Sequence, residues 1–179
     1  MRTKGYIFAF VFTTFVRFIR IFPNNDPIMA CLLPASRKNV FKAALFAFAA
    51  MFFFDIITMK LGPWTLVTSV TYAALALFFA LCFKRLKKVH FGHFIGLSAL
   101  GVIIFDIITG PIMSTLMFNQ PLWFSILGQI PFTLFHLVSA VSYTFFLVPI
   151  LDPDIREELA KSKAFSTLLS LNFNRLKWF

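Results

Sequence analysis

Four stretches of this chain, 41–58, 64–83, 91–109 and 122–151, are apolar almost throughout and each is of membrane-crossing length. A helix rises about 1.5 Å per residue, so about 20 apolar residues cross the hydrocarbon core. Backbone polar groups find no water there, so such runs fold as helices whose hydrogen bonds close internally. Composition agrees: 59% of residues are hydrophobic, 27 of 179 are Phe, 13% are charged and mean hydropathy is +0.83. A soluble domain of this size has too little interior to bury that surface. The expected class is an all-α integral membrane protein.

Two further pieces lie upstream. Segment 6–22 is apolar but carries Arg17 and Arg20, and segment 28–35 is short and flanked by Pro23, Pro27 and Pro34. A piece so short crosses only as a broken or re-entrant helix. The last long segment, 122–151, exceeds a straight crossing and contains Pro131, its natural bend point. Arg2 and Lys4 before an apolar stretch imitate a signal peptide, but no small-x-small cleavage site follows, and the segment is expected to be retained.

Basic residues set the orientation. With both termini and the turns at 36–42 and 84–90 on one side, that side collects Arg2, Lys4, Arg37, Lys38, Lys42, Lys84, Arg85, Lys87, Lys88 and five tail residues. Of the 17 basic residues only Arg17, Arg20 and Lys60 remain. By the positive-inside rule this side is cytoplasmic. The arrangement closes if 28–35 crosses, giving a bundle of six segments with a short second one and both termini inside. The net charge of +10 is thus accounted for at membrane edges, by orientation and lipid headgroup contact, and nucleic acid is not an expected partner. The remainder, 152–179, changes character: Asp152-Pro153-Asp154 signals a helix start, and an apolar stripe runs among basic residues. It reads as a cytoplasmic amphipathic tail lying on the inner leaflet or docking a partner.

Within this frame the pentapeptide Phe-Asp-Ile-Ile-Thr occurs twice, at 54–58 and 105–109, each time near the end of an apolar run and shortly before Gly-Pro. Ionisable residues inside membrane helices are costly and mark function. Asp55 and Asp106 are therefore candidate site residues, each expected three residues from the outer end of its helix and followed by a linker leading to Trp64 or Trp123. Structural pairing of each Asp with a nearby base, and an aromatic-belt role for each Trp, are the plain alternatives. Pro23-Asn24-Asn25-Asp26-Pro27 sets a third Asp at the same level.

Other polar residues cluster. Arg17 and Arg20 share a helical face and are expected to pair internally with Asp55 or Asp106, or to bind a ligand's charge. Gln129, Thr133, His136 and Ser139 form one stripe on the last helix, which must face protein or a cavity. Ala43, Ala47 and Ala50 form a small-residue face, suited to internal packing or to partner docking. Cys31 and Cys82 stand apart in apolar segments, and no ligand cluster accompanies His136, so neither disulfide nor metal nor other cofactor is expected. A Gly-x-x-x-x-Gly-Lys-Ser/Thr loop, a nucleophile elbow and a His-Glu-x-x-His motif are all missing, so no enzymatic activity is expected.

Taken in order, the motifs are Arg20, Pro23-Asn24, Pro27 with its short helix, Asp55, Gly62-Pro63-Trp64-Thr65, Asp106, and Pro131-Phe132-Thr133-Leu134-Phe135-His136. This series resembles the substrate-binding S components of energy-coupling-factor (ECF) transporters, ABC-type importers of vitamins and other micronutrients, in particular a poorly characterised bacterial branch. The resemblance covers about residues 15–151. It implies a six-helix bundle in the bacterial cytoplasmic membrane, a small-molecule solute bound near the outer face, and partners comprising one transmembrane coupling protein and two cytoplasmic ATPases. Solute contacts are expected from Asn24, Asn25, Trp64, Thr65, Gln120, Trp123, Gln129 and His136. One departure is clear: better-known S components carry an Ala-x-x-x-Ala docking face on their first helix, whereas here Ala43 and Ala47 lie on the third segment. Two other readings stay open: a membrane scaffold of cell-envelope assembly, and a free-standing secondary transporter using Asp55 and Asp106 as proton or cation sites.

Overall fold

The structure is a computed structural model that describes residues 3–19 and 24–161. Arg20 and tail residues 162–179 lie outside the described residues. The described chain runs α1 (Thr3–Ile19), α2 (Ile28–Lys38), α3 (Val40–Ile57), α4 (Pro63–Arg85), α5 (Phe91–Ile107), a π-helical turn (Ile108–Ile112), α6 (Met113–Phe118), α7 (Leu122–Leu151) and α8 (Pro153–Lys161). Among the described residues, four spans are long and apolar enough to cross a membrane: Val40–Ile57, Pro63–Arg85, Phe91–Phe118 and Leu122–Leu151. Together they make this a multi-pass membrane protein, with α1 a shorter apolar helix beside them.

At the centre lies α2. It touches α1, α3, α4, α5 and α7, and every residue from Ile28 to Ser36 is buried. The buried residues of α2 are apolar apart from Ser36, whose hydroxyl donates to Leu32 C=O at 2.7 Å. Its start is fixed by Asp26, whose Oδ1 accepts the Ile28 N–H at 3.0 Å and places a negative charge at the helix N-terminus. Its end is fixed by Asn39, the single residue between α2 and α3, extended at φ −156°, whose side chain accepts the Lys42 N–H and caps α3. Ala43 and Ala47 are fully buried and Ala50 is 2% exposed, so this face packs inside the bundle and offers no surface to a partner.

The two copies of the pentapeptide meet different fates. The first helix stops soon after its Asp: Met59 adopts a left-handed φ of 53°, Lys60 N–H donates to Asp55 C=O at 2.8 Å, and Met59 N–H donates to Ile56 C=O at 3.0 Å. That pair of bonds closes a helix end. The second helix does not stop. Segment 91–109 was expected to end before Gly110-Pro111, yet the helix passes through both residues as a π turn and runs on to Phe118. A wider turn absorbs a proline that has no N–H to give and whose ring would crowd an α-helical carbonyl. Asp106 therefore sits well inside its helix, and most of the expected linker is helical. Pro131 and Pro149 likewise lie within an unbroken α7.

At the opposite end from these Asp residues, α8 is tied to the bundle. Arg37 reaches Asp152 at 2.7 Å and Asp154 at 2.8 Å, Lys38 reaches Asp154 at 3.3 Å, and His90 Nδ1 lies 2.8 Å from Glu158. Ile155 plugs the bundle beneath them at 1% exposed. Lys38, with Arg37 behind it, holds the Asp154 carboxyl below the ordinary carboxylate value.

Candidate functional site

Near the Asp-bearing end the helices diverge around a cavity of about 940 Å³. That volume falls in the range of small-molecule sites, roughly 300–1,000 Å³. Its walls come from α1, the segment leading into α2, the α3–α4 hairpin, the end of α5 with the π turn, and α7. Aromatic faces (Phe54, Trp64, Phe105, Phe132) make up much of the lining.

One wall is formed by a buried polar network centred on His136, with Asp26 and Tyr72 also lining the cavity and Asp106 behind them. Its Nδ1 lies 2.7 Å from Asp106 Oδ1 and its Nε2 lies 3.1 Å from Asp26 Oδ2. Tyr72 donates its hydroxyl to the same Asp26 oxygen, and the Asp26 N–H donates to Ser139 Oγ at 3.1 Å. His136 is 3% exposed, Asp26 6%, Asp106 1% and Tyr72 1%. A neutral imidazole has one N–H, so two nitrogens bonded to two carboxylates require one further proton, on the ring or on a carboxyl. Asp106 Oδ2 is buried and has no hydrogen-bond partner among the described residues. The network thus holds one proton beyond the single N–H of a neutral imidazole, and leaves one Asp106 oxygen unpartnered among the described residues.

Asp55 is used differently. Its Oδ2 accepts the Thr65 hydroxyl at 2.6 Å, and Thr65 Oγ1 in turn accepts the Gly62 N–H at 3.2 Å. The bond staples the α3–α4 hairpin locally, and Asp55 does not line the cavity.

Arg17 pairs with neither Asp55 nor Asp106. Its guanidinium lies 4.3 Å from the centroid of the Phe54 ring and is directed at the Met51 sulfur. A half-buried cation can rest on an aromatic face, and Asp106 takes His136 as partner in its place.

Of the residues singled out from the sequence, Arg17, Asn24, Asn25, Trp64, Gln129 and His136 line the cavity. Asn25 is structurally committed, donating to Val16 C=O at 3.0 Å and accepting from Tyr143 at 2.6 Å. Asn24, at a left-handed φ of 57°, donates to Phe132 C=O at 2.9 Å. Thr65, Asp55 and Asp106 stand behind the wall. Gln120 and Trp123 do not reach the cavity: the prolonged α5–α6 helix carries them outward, and Trp123 is 65% exposed. Sequence reasoning passed over Asp26, Tyr72 and Lys60 as site residues. The signals were an acid framed by prolines, a hydroxyl in an apolar helix, and the one lysine of the loops on that side.

No group of three or more His, Cys, Asp or Glu among the described residues is disposed to hold a metal ion. Both His136 nitrogens already face carboxylates. Comparison of the chain with protein-family models, with curated proteins and with solved structures returned no match.

Proposed function

We propose that this chain is the solute-capturing membrane subunit of an ECF-type importer, taking a vitamin-like or other small micronutrient from the outer face of a bacterial cytoplasmic membrane. The observation that carries the reading is the cavity itself: about 940 Å³, walled by aromatic and amide side chains and set at the end of a membrane bundle poor in basic residues. In this reading α1 and α2 complete six crossing segments, both termini are cytoplasmic, and the basic end bearing α8 faces the coupling protein and ATPases. Nothing in the chain resembles an ATP-binding loop, so the energy for uptake comes from those partners.

The capture step is binding in a preformed, mostly apolar pocket, with a few polar groups fixing orientation. His136 and its two carboxylates hold α2, α5 and α7 in register around the pocket.

Native mass spectrometry of the protein purified gently from its host tests this. A retained small molecule together with an ATPase partner supports the importer, and loss of that molecule in Asp106→Asn but not in Asp55→Asn ties it to the network. Reproducible isolation with neither defeats the reading.

One observation favours a second reading. The proton shared by His136 and the unpartnered oxygen of Asp106 suit a free-standing, proton-coupled secondary transporter. Uptake into vesicles driven by a pH gradient without ATP would select it.

A further inference from the structure

We infer that the solute taken by this cavity is an organic anion: a carboxylate joined to a flat ring that also presents an N–H donor. The inference rests on the solute-capture reading above and gives its chemical class. The argument lies in which polar groups of the wall are already partnered and which are not.

Asp26 is the carboxylate lining the cavity, and both its oxygens are occupied, Oδ1 by the Ile28 N–H and Oδ2 by Tyr72 and His136. It has little capacity left to receive a cationic ligand. Asp55 and Asp106 lie behind the wall, bonded to Thr65 and His136. The cations are in the opposite condition. Arg17 and Lys60 both line the cavity, and neither is within ion-pair distance of a carboxylate, although all seven acidic residues of the chain are among those described.

Arg17 is the more telling of the two. Its planar fork of donors faces a thioether and a ring, neither of which matches a carboxylate as an acceptor. A half-buried guanidinium left in that state is completed by an anion that enters the cavity. Lys60, exposed on the hairpin loop at the mouth, supplies a second, screened attraction.

The rest of the solute follows from the remaining wall. Phe54, Phe105, Phe132 and Trp64 suit a flat apolar body. Asn24 and Gln129 donate through their amide nitrogens to Phe132 C=O and to Thr133, which leaves both amide oxygens without donors among the described residues. Two free acceptors call for N–H donors on the ring. Gly110 belongs to the same arrangement: a Cβ there would collide with Gln129 Oε1, so glycine lets that oxygen lie flush against the π turn.

The test uses one ring in three charge states: indole-3-acetate, indole-3-acetamide and tryptamine, titrated calorimetrically into the full chain in lipid nanodiscs. Indole-3-acetate is expected to bind about 10- to 100-fold more tightly than the amide, as a charge-assisted Arg–carboxylate contact implies, and tryptamine most weakly. Arg17→Gln should erase the preference for the anion, Arg17→Lys should keep part of it, and Lys60→Gln should weaken it chiefly at low salt. Circular dichroism of each variant establishes that it is folded. Equal or tighter binding of the amide or the amine overturns the inference and leaves solute capture standing. Binding by none of the three also overturns it, and the solute retained in the native mass spectrum then decides capture separately.

Discussion

The two Phe-Asp-Ile-Ile-Thr hairpins have identical cores and opposite behaviour. In the first, the helix closes two residues past Ile57 with Met59 left-handed, and Asp55 bonds Thr65 across a short loop. In the second, the helix runs through Gly110-Pro111 to Phe118, and Asp106 bonds His136, 30 residues away on α7. Five shared residues do not choose between these outcomes. The choice lies in what surrounds them: Gly62 and Thr65 wait beyond the first copy, whereas the second packs against α7 along the π turn. One copy is a local staple and the other a tie between distant helices.

That contrast is open to direct attack. The largest effect is expected for Asp106→Ala, which leaves His136 and the shared proton without one of two buried partners. Losing one side of a buried ion pair costs about 3–5 kcal/mol, measurable as reduced resistance to SDS unfolding in mixed micelles. Asp55→Asn keeps an acceptor for Thr65, and Thr65→Val removes only a hydroxyl, so each should cost about 1 kcal/mol in the same assay. Equal losses at the two Asp positions would dissolve the distinction. Gly110→Ala sharpens it from another side: the Gln129 amide must shift, so stability should change by less than about 1 kcal/mol while solute binding falls. The smallest effect is a control remote from both hairpins. Lys38 and Arg37 depress Asp154 below its ordinary 3.8, so its contribution is present above that pH and is lost as pH falls through the lower folded value. Asp154 is largely exposed, so only a slight acid-side weakening is expected, and Asp154→Asn should remove it without touching the Asp106 phenotype.

The long helices were legible because crossing a membrane demands only length and apolarity. The expected 41–58 and 64–83 fall within a residue or two of α3 and α4, and 122–151 coincides with α7. The misjudged boundary was 91–109, where Gly-Pro reads as a stop but tertiary packing carries the helix past it as a π turn. Side-chain partners were harder to read. Arg17, Asn24, Trp64, Gln129 and His136 were legible as polar or amphipathic residues with no business facing lipid, and they do converge on the cavity. Asp26 and Tyr72 enter the network from the segment leading into α2 and from α4, brought together only by burial of α2, which no periodicity announces. Gln120 and Trp123 were misplaced for the same reason as the boundary: a longer helix moves the loop that carries them.

The buried α2 has a mechanical meaning. Eleven residues make a rod about 16 Å long. Its leading end is seated on Asp26, against the cavity, and its trailing end bears Arg37 and Lys38, clasped by Asp152 and Asp154 on the opposite face. Packed side chains of α1, α3, α4, α5 and α7 hold it along its length. One short buried rod thus carries an ionic attachment at each end, so the cavity wall at Asp26 and the α8 anchor at Asp152 and Asp154 are fixed to the same rigid element.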